Sequence, residues 1–98
     1  MATYIVLGKW TQQGAQGAGP GEGPKRRQLA KEAAKSVGGE VQQIYLTMGQ
    51  YDIVAIFKAP DDEAMAKMVL KISSAGFLST QTIRAFDEAE TDKLFSTL

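Results

Sequence analysis

A chain of 98 residues with 44% hydrophobic side chains has room for one core and one domain, residues 1–98, and is too apolar to stay disordered. Its eleven basic and eleven acidic residues cancel, so no global field draws it to nucleic acid or to an anionic membrane. The absence of cysteine and histidine removes disulfides, thiol nucleophiles, the commonest general base and the commonest metal ligand, so neither a metal nor a cofactor is expected.

The N-terminus runs straight into a short apolar strand, without the basic and long apolar regions of a signal peptide. No stretch approaches the roughly 18 apolar residues of a membrane span. A cytoplasmic protein is the expectation.

Thr3–Trp10 is rich in β-branched and aromatic residues and reads as a first strand, apolar on both faces. Residues 11–23 then carry Gly14, Gly17, Gly19, Gly21 and Gly23 with Pro20 and no large apolar side chain, which predicts a mobile Gly-rich loop. Pro24 suits the first turn of a helix. Leu29, Ala30, Ala33, Ala34 and Val37 continue that helix as a narrow apolar stripe, and Gly38-Gly39 ends it.

A second strand is expected at about Glu40–Met48 and a third at Tyr51–Ala59, joined as a hairpin by a tight turn at Gly49-Gln50. Asp61 and Asp62 can cap a second helix, whose buried stripe is Met65, Met68, Val69 and Ile72. Gly76 breaks it, Leu78–Phe86 reads as a fourth strand, and Glu88–Leu98 as a short terminal helix.

The order strand-helix-strand-strand-helix-strand predicts an α+β, ferredoxin-like βαββαβ fold. Right-handed crossovers put both helices on one face of a four-stranded antiparallel sheet, with the first and third strands central. On the third strand, alternation assigns Tyr51, Ile53, Ala55 and Phe57 to the helix side, and Asp52, Val54, Ile56 and Lys58 to the open side. Val54 and Ile56, bare at the centre of a sheet, invite a partner, and a face-to-face homodimer or larger oligomer would cover them.

Gly8-Lys9-Trp10-Thr11 and Gly49-Gln50-Tyr51-Asp52 resemble the signature segments of the GYD-domain family. Ile53-Val54-Ala55-Ile56, Ala59-Pro60-Asp61-Asp62-Glu63 and Ile83-Arg84-Ala85-Phe86 fit the same resemblance. Gln50 separates the glycine from the tyrosine, so Gly-x-Tyr-Asp is the pattern matched. The resemblance covers nearly the whole chain apart from the Gly-rich loop. It implies a dimeric α+β barrel and no agreed biochemical activity.

Two groups of residues carry candidate chemistry. Lys25, Arg26 and Arg27 at the start of a helix suit an anion such as a phosphate or carboxylate, although solvated surface charge is the simpler account of them. The glycines before them keep no Gly-x-Gly-x-x-Gly register and no P-loop pattern. Trp10 should lie near Tyr51 and Asp52, because the first and third strands are antiparallel neighbours. The Gly-rich loop and the basic helix start reach the same end. Trp10, Arg26, Arg27, Tyr51 and Asp52 are therefore the candidate ligand-binding residues, against a plain packing role for the aromatics and a turn-pinning role for Asp52.

Arg84 falls at the opposite end of the sheet and is expected to meet a carboxylate across an interface or near the second long helix. The function expected is a small homo-oligomeric ligand-binding or regulatory domain for a small anionic or aromatic compound. The alternatives are a structural assembly protein, or a small-barrel enzyme acting on a carbonyl or aromatic compound with Asp52 or Tyr51 as acid or base.

Overall fold

The computed structural model describes residues 1–98 as four strands and four helices. Strands β1 (Ala2–Trp10), β2 (Glu40–Leu46), β3 (Ile53–Ala59) and β4 (Leu78–Ala85) form one antiparallel sheet in the order β2-β3-β1-β4. This is the ferredoxin-like α+β arrangement. Its central pair is set by register: Ile5 faces Ile56 and Leu7 faces Val54 across β1 and β3, while Ile5 also faces Ile83 on β4.

Period-two alternation divides each strand between two environments. Tyr4, Val6, Ala55, Phe57 and Ala59 are buried beneath the long helices α2 (Glu22–Ser36) and α3 (Asp62–Ser74). Helix α3 starts at an Asp61 cap, whose carboxylate accepts the Ala64 N–H at 2.9 Å, and it buries Met65, Met68 and Ile72. Helix α2 buries only Ala33 and Ala34. Fully burying one large side chain such as Met68 stabilises the fold by about 1.5–3 kcal/mol.

The other face holds Ile5, Leu7, Val54 and Ile56 half-buried, with Tyr45 and Ile83 exposed beside them. Helix α4 (Glu88–Ser96) is fixed at its start by a capping box between Asp87 and Glu90, yet it buries none of its residues. Leu94 and Phe95 project into solvent.

Three expectations need correction. The segment expected to be a loop is partly helical: α1 spans Gln12–Gln16, with Thr11 as its cap accepting the Gly14 N–H at 3.0 Å. Gly14 is buried there, and a Cβ on it would stand 2.2 Å from the Phe77 carbonyl oxygen, so it is a packing glycine and not a flexible one. The hairpin connection is longer than a tight turn, with Thr47 N–H donating to the Asp52 carbonyl at 2.8 Å and Gly49 taking φ 118° between them. Finally, Arg84 meets Glu90 of α4 in its own chain, at 3.9 Å.

Candidate functional site

A cavity of about 420 Å³ opens between α2 and the sheet, at the end where β1 finishes. Its existence follows from side-chain size. The face that α2 turns to the sheet carries Leu29 and Ala30 at this end, with Gly23 nearly two turns before them, so little volume fills the space above Val6, Ile53 and Ala55. Ile44 and Leu46 of β2 wall one side, and Phe77 and Leu78 the other. Most of the lining is apolar.

The cationic group of this cavity is Arg26. It lies on α2 four residues after Glu22, the spacing at which helical side chains meet, and its Nε–H donates to Glu22 Oε1 at 3.2 Å. The guanidinium lies between two rings, 5.0 Å from the centroid of Trp10 and 4.6 Å from that of Phe77. Such cation–π contacts strengthen as water is excluded, and the side chain is only 12% exposed. Its Nη2 is buried and has no hydrogen-bond partner. A buried, unsatisfied donor costs about 1–3 kcal/mol, more when charged. Arg27 lines the mouth from the exposed side, and Lys25 reaches Glu22 at 3.7 Å.

The candidate residues therefore divide. Trp10, Arg26 and Arg27 come together at the cavity. Tyr51 and Asp52 do not line it. Asp52 clamps strand ends: its N–H donates to the Gly8 carbonyl at 2.8 Å, and its Oδ2 accepts the Trp10 N–H at 2.9 Å. Tyr51 lies on the open side of the sheet, its hydroxyl donating to Gln81 Oε1 at 3.0 Å and its ring 5.7 Å from Lys9 Nζ. Alternation counted back from Ile53 assigned Tyr51 to the helix side. The backbone is irregular from Thr47 to Asp52, so the alternation does not reach it.

Glu22 and Ile72 were not expected at this site from the sequence. Only Glu22 left a signal, the four-residue spacing to Arg26.

The GYD domain family profile matches residues 4–95. The chain belongs to the GYD domain family. The two segments that resemble the family's signatures meet in space, since the Asp52 contacts just described join Gly49–Asp52 to Gly8–Thr11. In this GYD domain they form a structural latch at the sheet's end, and Trp10 alone of them turns toward the cavity.

A relative from Thermus thermophilus, the glutamine synthetase and cystathionine beta-lyase binding protein, is 31% identical over 91 residues, covering 92% of this chain and 94% of its own. A crystal structure of a Thermus thermophilus protein superposes with a TM-score of 0.55 at 26% identity, covering 89% of this chain and 95% of that one. No helix is long and apolar enough to cross a membrane.

Proposed function

We propose that this protein is a ligand-binding regulatory domain that takes a small anionic or aromatic molecule into the cavity beneath α2. The observation that carries the reading is Arg26: a guanidinium held between Trp10 and Phe77 in the wall of a mostly apolar cavity. An apolar cavity with few, convergent polar groups is the usual form of a small-molecule site. The enzyme alternative is less favoured, because neither of its acid–base candidates lines this cavity: the Asp52 carboxylate accepts the Trp10 N–H and the Tyr51 hydroxyl donates to Gln81.

Trp10 is the chain's single tryptophan and lines the site, so the test is a fluorescence screen of small carboxylates, phosphates and aromatic compounds. A saturable change with at least one of them is expected. Silence across the panel, with calorimetry equally silent, overturns the reading.

We further infer that the protein works as a homodimer or larger oligomer closed through the open sheet face. Ile5, Leu7, Val54 and Ile56 make a contiguous apolar strip there. Light scattering should give at least twice the 10.6 kDa chain mass, and Val54→Lys should lower it.

A second reading is favoured by the Thermus relative, whose name makes it a binding protein for two enzymes. On that reading the open face and α4 dock onto a larger enzyme. Co-elution with a purified enzyme partner, abolished by Phe95→Glu, would support it over a ligand-free or purely self-associating domain.

A further inference from the structure

We propose that the ligand is an aliphatic monocarboxylate, its carboxylate bound to Arg26 and its hydrocarbon body lying over Val6, Ala55 and Ile72. This rests on the ligand-binding reading and narrows it to one chemical class. Three observations do the narrowing.

The first is charge. Two cations, Arg26 and Arg27, line the cavity with a single carboxylate, Glu22, which already holds the Arg26 Nε–H and also meets Lys25 from outside the lining. The lining is left with one net positive charge, which a single carboxylate balances while accepting charge-assisted hydrogen bonds from the arginines. A phosphate dianion presents three strong acceptor oxygens. Its two charges exceed the single positive charge left in the lining, where the Thr80 hydroxyl and the Trp10 indole N–H are the other polar side-chain groups.

The second is stacking. The rings of Trp10 and Phe77 that could have received an aromatic ligand are turned to the Arg26 guanidinium, at 5.0 and 4.6 Å. What remains for the ligand body is the aliphatic wall of Val6, Ile44, Ile53, Ala55, Ile72 and Leu78.

The third is size. The cavity of about 420 Å³ lies within the usual range of small-ligand sites. It has room for a saturated carboxylate of medium length.

The test compares decanoate, decanol and inorganic phosphate on the wild-type protein, by calorimetry and by Trp10 fluorescence. Decanoate is expected to bind at least tenfold more tightly than decanol, the value of one charge-assisted hydrogen bond, and phosphate not to bind. Arg26→Met should bring decanoate to the level of decanol. Ala55→Leu, which fills the floor of the cavity, should weaken both.

Equal binding of decanoate and decanol by the wild-type protein overturns the carboxylate assignment and leaves the ligand-binding reading standing. That comparison needs no variant, so it holds even if Arg26→Met does not fold. Tight phosphate binding also overturns it. Failure of every probe here, together with a silent general screen, removes both inferences.

Discussion

The two halves of the helix layer are filled to different degrees. Under α3 the sheet meets Met65 and Met68, long flexible side chains that occupy irregular space, and Met68 is fully buried. Under α2 it meets alanines, and toward the Trp10 end it meets a cavity. The helices are similar in length and lie on the same face of one sheet. Their difference shows how a repeated βαβ scaffold divides its labour: one half supplies stability, and the other gives up packing for space. An unfilled apolar space forfeits dispersion contacts on every wall, a deficit that a bound hydrocarbon would remove.

The largest expected effect tests the filled half. Met68→Ala should cost about 2–5 kcal/mol in chemical denaturation, as large-to-small changes in tight cores do. Leu29→Ala, in the wall of the cavity, should cost about 1 kcal/mol or less, because its neighbours already lack contacts on one side. Equal losses would erase the distinction between the halves.

Gly14→Ala comes next. A Cβ there would collide with the Phe77 carbonyl oxygen, so α1 must shift from the start of β4 at a cost of about 1–3 kcal/mol, typical of overpacking. Phe77 is one of the two rings that hold Arg26, so Trp10 fluorescence should change in the same variant. Loss of stability with an unaltered Trp10 spectrum would separate α1 from the cavity.

Filling the space is the third. Ala30→Leu should be neutral or stabilising by about 0.5–2 kcal/mol, the range seen for cavity-filling changes. Ala34→Leu, on the same helix but fully buried, should cost about 1–3 kcal/mol. Thermal melts of the two variants would show opposite signs if the boundary between the halves falls between these residues.

Most of this architecture was legible. The strands announce themselves through β-branched residues and α3 through its Met65, Met68 and Ile72 spacing, because both patterns report directly which side faces the core. Gly14 was not legible: a glycine that permits close approach to Phe77 is written with the same letter as one that gives a loop freedom. Tyr51 misled for a different reason, since alternation holds only while the backbone stays extended, and it stops at Ile53. The site was half visible. Topology brought Trp10 toward Arg26 and Arg27, but the cavity is a difference between side-chain volumes on four strands and two helices, and no local window of sequence contains that difference. Arg26 looked like surface charge because nothing in the chain shows that Trp10 and Phe77 close around it.

The smallest effect at neutral pH belongs to the far end of the filled half, where the Tyr4 hydroxyl donates to Asp62 and the Arg84 guanidinium lies 5.5 Å from the Tyr4 ring. Desolvation, reinforced by the Asp62 hydrogen bond and its charge, pushes the Tyr4 pKa from 10.0 up to about 12, with Arg84 pulling weakly the other way. The folded value lies above the unfolded one, so the neutral phenol is what folding favours. Its contribution is complete below pH 10 and is lost as pH rises through about 12. Tyr4→Phe keeps the ring and should change stability at neutral pH by only about 0.5–1.5 kcal/mol, the worth of one hydrogen bond. In strong alkali the variant should instead hold its stability better than the wild-type protein. Denaturation midpoints measured for both proteins from neutral pH to pH 12 give the difference curve, in which every other alkaline ionisation cancels. A gap that narrows or reverses above pH 10 locates the loss at Tyr4, whereas parallel curves would mean that the sealed end of the core owes nothing to the Tyr4–Asp62 contact.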